Sequence, residues 1–230
     1  MVAAVALFDI DGTLVHANGA GSLGACRALE SAFGAEPRSG AITFAGRTDR
    51  AIVNELFELH AIENTTENWE RFQEHYLPHL TRAVTETDGV VLPGAEQLLN
   101  ELATDRHSDV AVGLLTGNTQ QAAKIKLSHF GIYHHFAFGG FGDDEPLRDD
   151  AARAAYRISQ EHLSQPISSD RVVVIGDTPN DVTCARAIDA RVIAVTTGSY
   201  SRDELVEAKP DAIIDDLTDT DAVIELIRGN

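Results

Sequence analysis

Four short apolar runs constrain this chain more than any other feature: residues 2–8, 110–115, 171–175 and 191–195. They are rich in Val, Ile and Ala, do not alternate with polar residues, and end in turn formers. A strand with one face in water alternates, so runs like these are expected to be buried on both faces, as in a parallel sheet covered by helices. Helical patterns separate them: residues 95–103 after Pro93-Gly94, 119–130 up to a C-capping Gly131, 149–163, and 181–190 after Pro179-Asn180. Two weaker strands are expected at 135–138 and 211–214. Strands alternating with helices predict an α/β fold, a doubly wound parallel sheet with right-handed crossovers.

One stretch breaks this rhythm. Residues 16–88 hold no convincing strand and read as helices over 20–33, 47–59 and 68–84. A helical insertion after the first strand accounts for them. The expected organisation is a core of residues 1–15 and 92–230, with residues 16–91 as a small α-helical cap over the sheet's carboxyl edge. Hinges are expected near 16–18 and 88–92.

Charge narrows the partners. With 36 acidic residues against 18 basic ones, the net charge of −18 argues against nucleic acid or an anionic membrane surface. An anionic ligand would have to be drawn in locally, and a bound divalent cation would do that. The apolar start is too short, and lacks the basic flank, for a signal peptide, and no run approaches the ~20 apolar residues of a membrane span. Cys26 and Cys184 have no paired or metal-type spacing, so two reduced thiols in a cytoplasmic protein are expected. Oligomeric state is not legible.

In open α/β sheets, ligands bind beyond the carboxyl ends of the strands. Three runs end there in polar clusters: Asp9-Ile10-Asp11-Gly12-Thr13, Thr116-Gly117-Asn118, and Gly176-Asp177-Thr178-Pro179-Asn180-Asp181. Carboxylates gathered this closely repel and raise one another's pKa unless a cation neutralises them. All-oxygen ligands point to a hard ion, magnesium where phosphate completes the shell. The Thr116 hydroxyl and the amides of Gly117 and Asn118, opening a helix, would seat an anion. A carboxylate nucleophile, a metal, an anion seat and a nearby acid are the parts of phosphoryl transfer through an aspartyl-phosphate.

Asp9-Ile10-Asp11-Gly12-Thr13-Leu14 resembles the D-x-D-G-T-L signature of the haloacid dehalogenase superfamily, with Thr116 as its second motif and Gly176-Asp177-xxx-Asp181 as its fourth. The resemblance spans essentially the whole chain and implies a Rossmann-like sheet with a C1-type helical cap. It implies that Asp9 is the nucleophile and a magnesium ligand. Asp11 would be a ligand through its carbonyl and the general acid and base. Thr116, Gly117 and Asn118 would hold the phosphoryl group, and Asp177 would ligate the metal. Asp181 would be a ligand or orient metal-bound water, although N-capping the next helix also explains it.

The third motif, a basic residue, departs from the usual pattern, because no Lys-Pro pair lies between Gly131 and Asp170. Arg148 is expected to fill it. Lys126 is the rival, although it falls inside a helix where a solvated lysine is the simpler reading, and Arg153 comes third. Phe44-Ala45-Gly46-Arg47-Thr48-Asp49 resembles the substrate-facing loop of phosphoglycolate-phosphatase-like members. There Arg47 would pair with a substrate carboxylate or second anion, or else with Asp49 or a helix neighbour.

Asp11 argues against dehalogenation, which lacks that acid. The absence of lysine between Asp11 and Leu92 argues against phosphonatase chemistry, which needs a cap lysine. The expected activity is a magnesium-dependent phosphatase for a small organic phosphate monoester, phosphoglycolate first among substrates. The alternatives are a sugar-phosphate mutase of the β-phosphoglucomutase type and a non-catalytic phosphoacceptor or binding protein. The nine histidines, His75/His79 and His134-His135 among them, read as surface or partly buried, and Trp69 as packing.

Overall fold

The computed structural model describes residues 2–36, 42–143 and 147–229. Its main sheet has six parallel strands: β1 (Ala4–Phe8), β4 (Val110–Leu115), β5 (Gly139–Gly140), β6 (Val172–Gly176), β7 (Arg191–Val195) and β8 (Ala212–Ile214). Their spatial order is β5-β4-β1-β6-β7-β8. The chain therefore moves outward on one side of β1 and then jumps to the other, so the switch in direction falls around β1. Ala4 pairs with Val110 and Val5 with Val172, which brings the carboxyl ends of β1, β4 and β6 together.

The sheet buries both faces, as the unbroken apolar runs require. Ala4, Ala6 and Phe8 point to one side with Leu98 and Leu102 of α4 (Ala95–Leu102), Leu127 of α5 (Gln120–His129) and Ile224 of α9 (Thr220–Arg228). Val5 and Leu7 point to the other with Ala152 and Ala155 of α6 (Arg148–Leu163) and Val182 of α7 (Pro179–Arg186). This is the two-residue period of a strand expressed as two cores. Helix α8 (Arg202–Ala208) starts at a reciprocal cap between Ser201 and Glu204.

Between β1 and β4 lie α1 (Ala20–Phe33), α2 (Asp49–Leu59) and α3 (Thr66–Glu86), flanked by β2 (Val15–His16) and β3 (Val90–Val91). The three helices share their own apolar cluster, centred on Leu29, Phe57, Phe72 and Leu80. Gly24 lets α1 approach α3 closely, since a Cβ there would stand 3.2 Å from the Leu80 backbone. Strands β2 and β3 pair antiparallel, Val15 with Val91 and His16 with Val90. The expected hinge regions are thus tied to each other, and Leu92 N–H donates to Leu14 C=O at 2.9 Å.

Three sequence expectations need correction. The strand expected at 135–138 is instead a turn followed by Gly139–Gly140. A side chain at Gly140 would run into the Ala151 carbonyl, so the position excludes the β-branched residues by which a strand is recognised. The helix expected at 181–190 runs Pro179–Arg186, with proline at its first position and Thr178 as its cap. Asp181 is therefore not the N-cap. It sits three residues on, as the reciprocal partner of Thr178.

Candidate active site

Asp9 follows β1, and its N–H donates to the Ile175 carbonyl of β6 at 2.9 Å, which anchors it at the switch point. The side chain is buried, with Oδ1 2.8 Å from Nη2 of Arg148. The same Nη2 lies 2.5 Å from Oδ1 of Asp181, also buried. Arg148 is the first residue of α6, so the helix start delivers the guanidinium between the two carboxylates. Its Nε is buried with no partner among the described residues.

Asp177 completes the acidic group. A Cβ at Gly12 or Gly198 would overlap its carboxylate, so glycine at both positions makes the cradle. Asp9, Asp177 and Asp181 each bring an oxygen within 4.8 Å of the others. Burial pushes the Asp177 carboxyl well up, with Asp181 and Asp9 adding to it. Burial also raises Asp9, against the opposing pull of Arg148. Three buried carboxylates with an all-oxygen donor set fit a hard divalent cation, which would relieve that repulsion. Asp181 is the most heavily engaged, since Oδ2 accepts from the Thr178 N–H at 2.9 Å and hydroxyl at 2.8 Å.

Asp11 turns away from this cluster. Burial alone would raise its carboxyl, yet Lys126 and Asn118 hold it low. Both act on Oδ2, Lys126 Nζ at 2.5 Å and Asn118 Nδ2 at 2.9 Å. Lys126 is only 5% exposed, which overturns the expectation of a solvated helical lysine. The basic residues divide the work: Arg148 meets Asp9, Lys126 meets Asp11, and Arg153 makes a surface pair with Asp150.

The loop after β4 carries Thr116, Gly117 and Asn118. Thr116 Oγ1 accepts from Asn118 Nδ2 at 2.9 Å and from its N–H at 3.2 Å. The opening turn of α5 is less free for an anion than expected. Thr119 N–H donates to Asp49 Oδ2 at 2.8 Å and Gln120 N–H to Asp143 at 2.9 Å, because carboxylates themselves favour a helix N-terminus. Gly117 N–H keeps no partner among the described residues.

Helix α2 begins against this loop. Asp49 N–H donates to the Gly117 carbonyl at 2.7 Å, and Asn180 Nδ2 donates to the Gly46 carbonyl at 2.8 Å. Burial raises the Asp49 carboxyl to about 6, with Lys126 and the Thr119 N–H opposing. Arg47 lines the cavity, but its guanidinium is 2.6 Å from Glu55 and also bonds the Thr43 and Ala51 carbonyls. The helix neighbour, and not Asp49, is its partner. Asp9, Asp11, Thr116, Asp177, Lys126 and Arg148 share one half-open cavity of about 270 Å³. It also draws in Asp49 and Tyr76, which the sequence did not mark as functional. Only Asp49, inside the Phe44–Asp49 motif, carried a signal that could have found it.

Residues 6–195 match the haloacid dehalogenase-like hydrolase family. The chain belongs to that family. Among relatives of this hydrolase, a phosphoglycolate phosphatase of Agrobacterium fabrum is 26% identical over 223 residues, covering 92% of this chain and 88% of that one. A predicted phosphatase of Clostridium acetobutylicum superposes with a TM-score of 0.72 at 22% identity, covering 98% of this chain and 100% of that one. CbbY of Rhodobacter sphaeroides, solved with phosphate, gives 0.71 at 16% identity, covering 95% and 96%. These structural likenesses are of fold. All three polar clusters of the hydrolase lie inside the matched span.

Proposed function

We propose that this hydrolase is a magnesium-dependent phosphatase for small organic phosphate monoesters, phosphoglycolate first among them, working through an aspartyl-phosphate on Asp9. The observation that carries the reading is the placement of Asp9: a buried carboxylate ion-paired to Arg148, on a cavity shared with Thr116, Gly117 and Asn118. The names of the curated relatives support the substrate.

In this reading an Asp9 oxygen attacks phosphorus and the ester P–O bond breaks, with Asp11 protonating the leaving alkoxide; it carries that proton once bound substrate draws Lys126 away from it. Water then attacks phosphorus, Asp11 takes its proton, and Asp9 is released. Arg148 orients Asp9 and offsets charge on the phosphoryl oxygens. Thr116 Oγ1 and Gly117 N–H hold the other oxygens. Magnesium would be held by Asp9, Asp177 and the Asp11 carbonyl, and when bound it supplies charge that offsets the transferring group. Asp181 steadies the ligands through Arg148 and Thr178.

Residues 16–91 act as a cap that excludes water from the first step. A cytoplasmic setting suits the two free thiols, and no helix among the described residues is long and apolar enough to cross a membrane. The test is turnover of a phosphate-ester panel with magnesium, by the native protein and by Asp9→Asn. The native protein should hydrolyse phosphoglycolate. The variant should fold and lose about 10⁴-fold or more, the scale of a missing nucleophile. A folded variant with native turnover would end the covalent reading.

A further inference from the structure

Part of the cavity wall is built from α1, α3 and α5, and it is made of donors. Tyr76 of α3 is 4% exposed, with its ring stacked on Phe72 at 5.4 Å between centroids. Its hydroxyl has no hydrogen-bond partner among the described residues. Lys126 of α5 comes to the same place: a Cβ on Gly21 would lie 3.6 Å from Lys126 Nζ and 3.8 Å from Tyr76 Oη. Gly21 belongs to the first turn of α1, and Gly19, Ala20, Gly21 and Ser22 all line the cavity. This turn is uncapped, for Gly19 offers no side chain and no acidic residue follows.

The Tyr76 ring is buried while its hydroxyl opens on the cavity with no acceptor among the described residues, so it is a donor free to meet a ligand atom. Here the hydroxyl stands beside an ammonium, which has three N–H donors, and beside the positive end of a 14-residue helix. The acidic groups nearest this wall are already held: Asp11 by Lys126 and Asn118, Asp49 by the Thr119 N–H. The complement to such a wall is an acceptor-rich group. Arg47 is taken up by three acceptors, Glu55 and the Thr43 and Ala51 carbonyls, whereas the Lys126 ammonium meets Asp11 alone among the described residues.

We propose that Tyr76, Lys126 and the first turn of α1 seat a carboxylate on the substrate, a few atoms from the phosphoryl group at Asp9. This rests on the phosphatase reading above and narrows its substrate class to short phosphomonoesters bearing a carboxylate. It also assigns the second anion to Lys126 and Tyr76, not to the Arg47 loop.

The test uses Tyr76→Phe, which removes one oxygen and keeps the stacked ring, and Lys126→Gln. Glycolate is titrated into each protein and followed by protein NMR. Native protein should bind it, and Tyr76→Phe should bind about tenfold more weakly or worse, the scale of a hydrogen bond to a charged group. The ratio of kcat/KM for phosphoglycolate to that for p-nitrophenyl phosphate should fall by about tenfold or more in Tyr76→Phe, which leaves the partners of Asp11 in place. Lys126→Gln is read by glycolate binding alone, which should also weaken by about tenfold or more, because losing the partner of Asp11 would itself slow an alkoxide leaving group more than p-nitrophenolate. No glycolate binding by native protein, equal binding by Tyr76→Phe, or an unchanged ratio would overturn the seat. Glycolate binding that needs Tyr76, in a protein that hydrolyses no phosphate ester, would uphold the seat and refute the phosphatase reading.

Discussion

The two ends of the cavity are built on different physical terms. At the end where we place the phosphoryl group, Asp9, Thr116 and Asp177 each stand at the end of a strand, and the register of β1 with β4 and β6 sets their spacing. At the other end, Gly21, Asp49 and Tyr76 come from three helices, brought together by packing around Phe57, Phe72 and Leu80 and by the bonds of Asp49 to Gly117 and Thr119. A strand end is a rigid mount that tolerates only the residues its chemistry needs. A helical wall can change residue by residue without disturbing the sheet. In the proposed reading the chemistry belongs to the sheet, and substrate choice belongs to residues 16–91 together with Lys126 of α5; the comparison can be broken from either side.

The largest expected effect is on the core side. A chelator should abolish hydrolysis and magnesium should restore it, whereas calcium should inhibit, since its longer bonds and higher coordination would engage both oxygens of Asp9. Full activity in excess chelator, measured by phosphate release, would remove the metal from the account.

Next comes the junction between the two ends. A Cβ on Gly117 would run into the Arg47 carbonyl, so Gly117→Ala must push the loop before α2 off the core. Turnover should fall on the order of 10²-fold, the usual cost of displacing a bound group by about 1 Å. A crystal structure of the variant should find the Asp49 N–H to Gly117 bond broken. Native kinetics with that bond intact would mean that the contact has no bearing on catalysis.

The smallest effect is on stability and depends on pH. Burial raises Asp49 to about 6 from an ordinary 3.8, so its proton is held more tightly in the folded state. Its contribution to stability is complete below the unfolded value and is lost as pH rises through about 6. Asp49→Asn keeps an acceptor for the Thr119 N–H without the charge. It should melt higher than the native protein at pH 8 and no higher at pH 4. A constant difference across that range would assign the effect to packing.

The same contrast explains what was legible in the sequence. Strands β4 and β7 stood out with their observed limits because burial on both faces favours apolar runs without polar alternation, here Val-Ala-Val-Gly-Leu-Leu and, after Arg191, Val-Ile-Ala-Val. Strand β5 was hidden because close approach of Ala151 admits only glycine, and β2 and β3 because two residues carry no period. The strand-end clusters were legible as chemistry, since a buried acid at such a place has few structural reasons to exist. Tyr76 was not, because Phe72, Tyr76 and Leu80 recur at four-residue spacing and read as a core stripe. Lys126 was discounted for a related reason, as its burial depends on Asp11, 115 residues away in sequence.

The central claim is that Asp9 takes the phosphoryl group. It is tested most directly by quenching the enzyme in acid within the first turnover of phosphoglycolate, digesting it, and weighing the peptide that contains Asp9. The account predicts a peptide heavier by one phosphoryl group, absent from Asp9→Asn and from enzyme quenched without substrate. Product formed at the same rate with every Asp9 peptide unmodified, or the added mass on another residue, would contradict it.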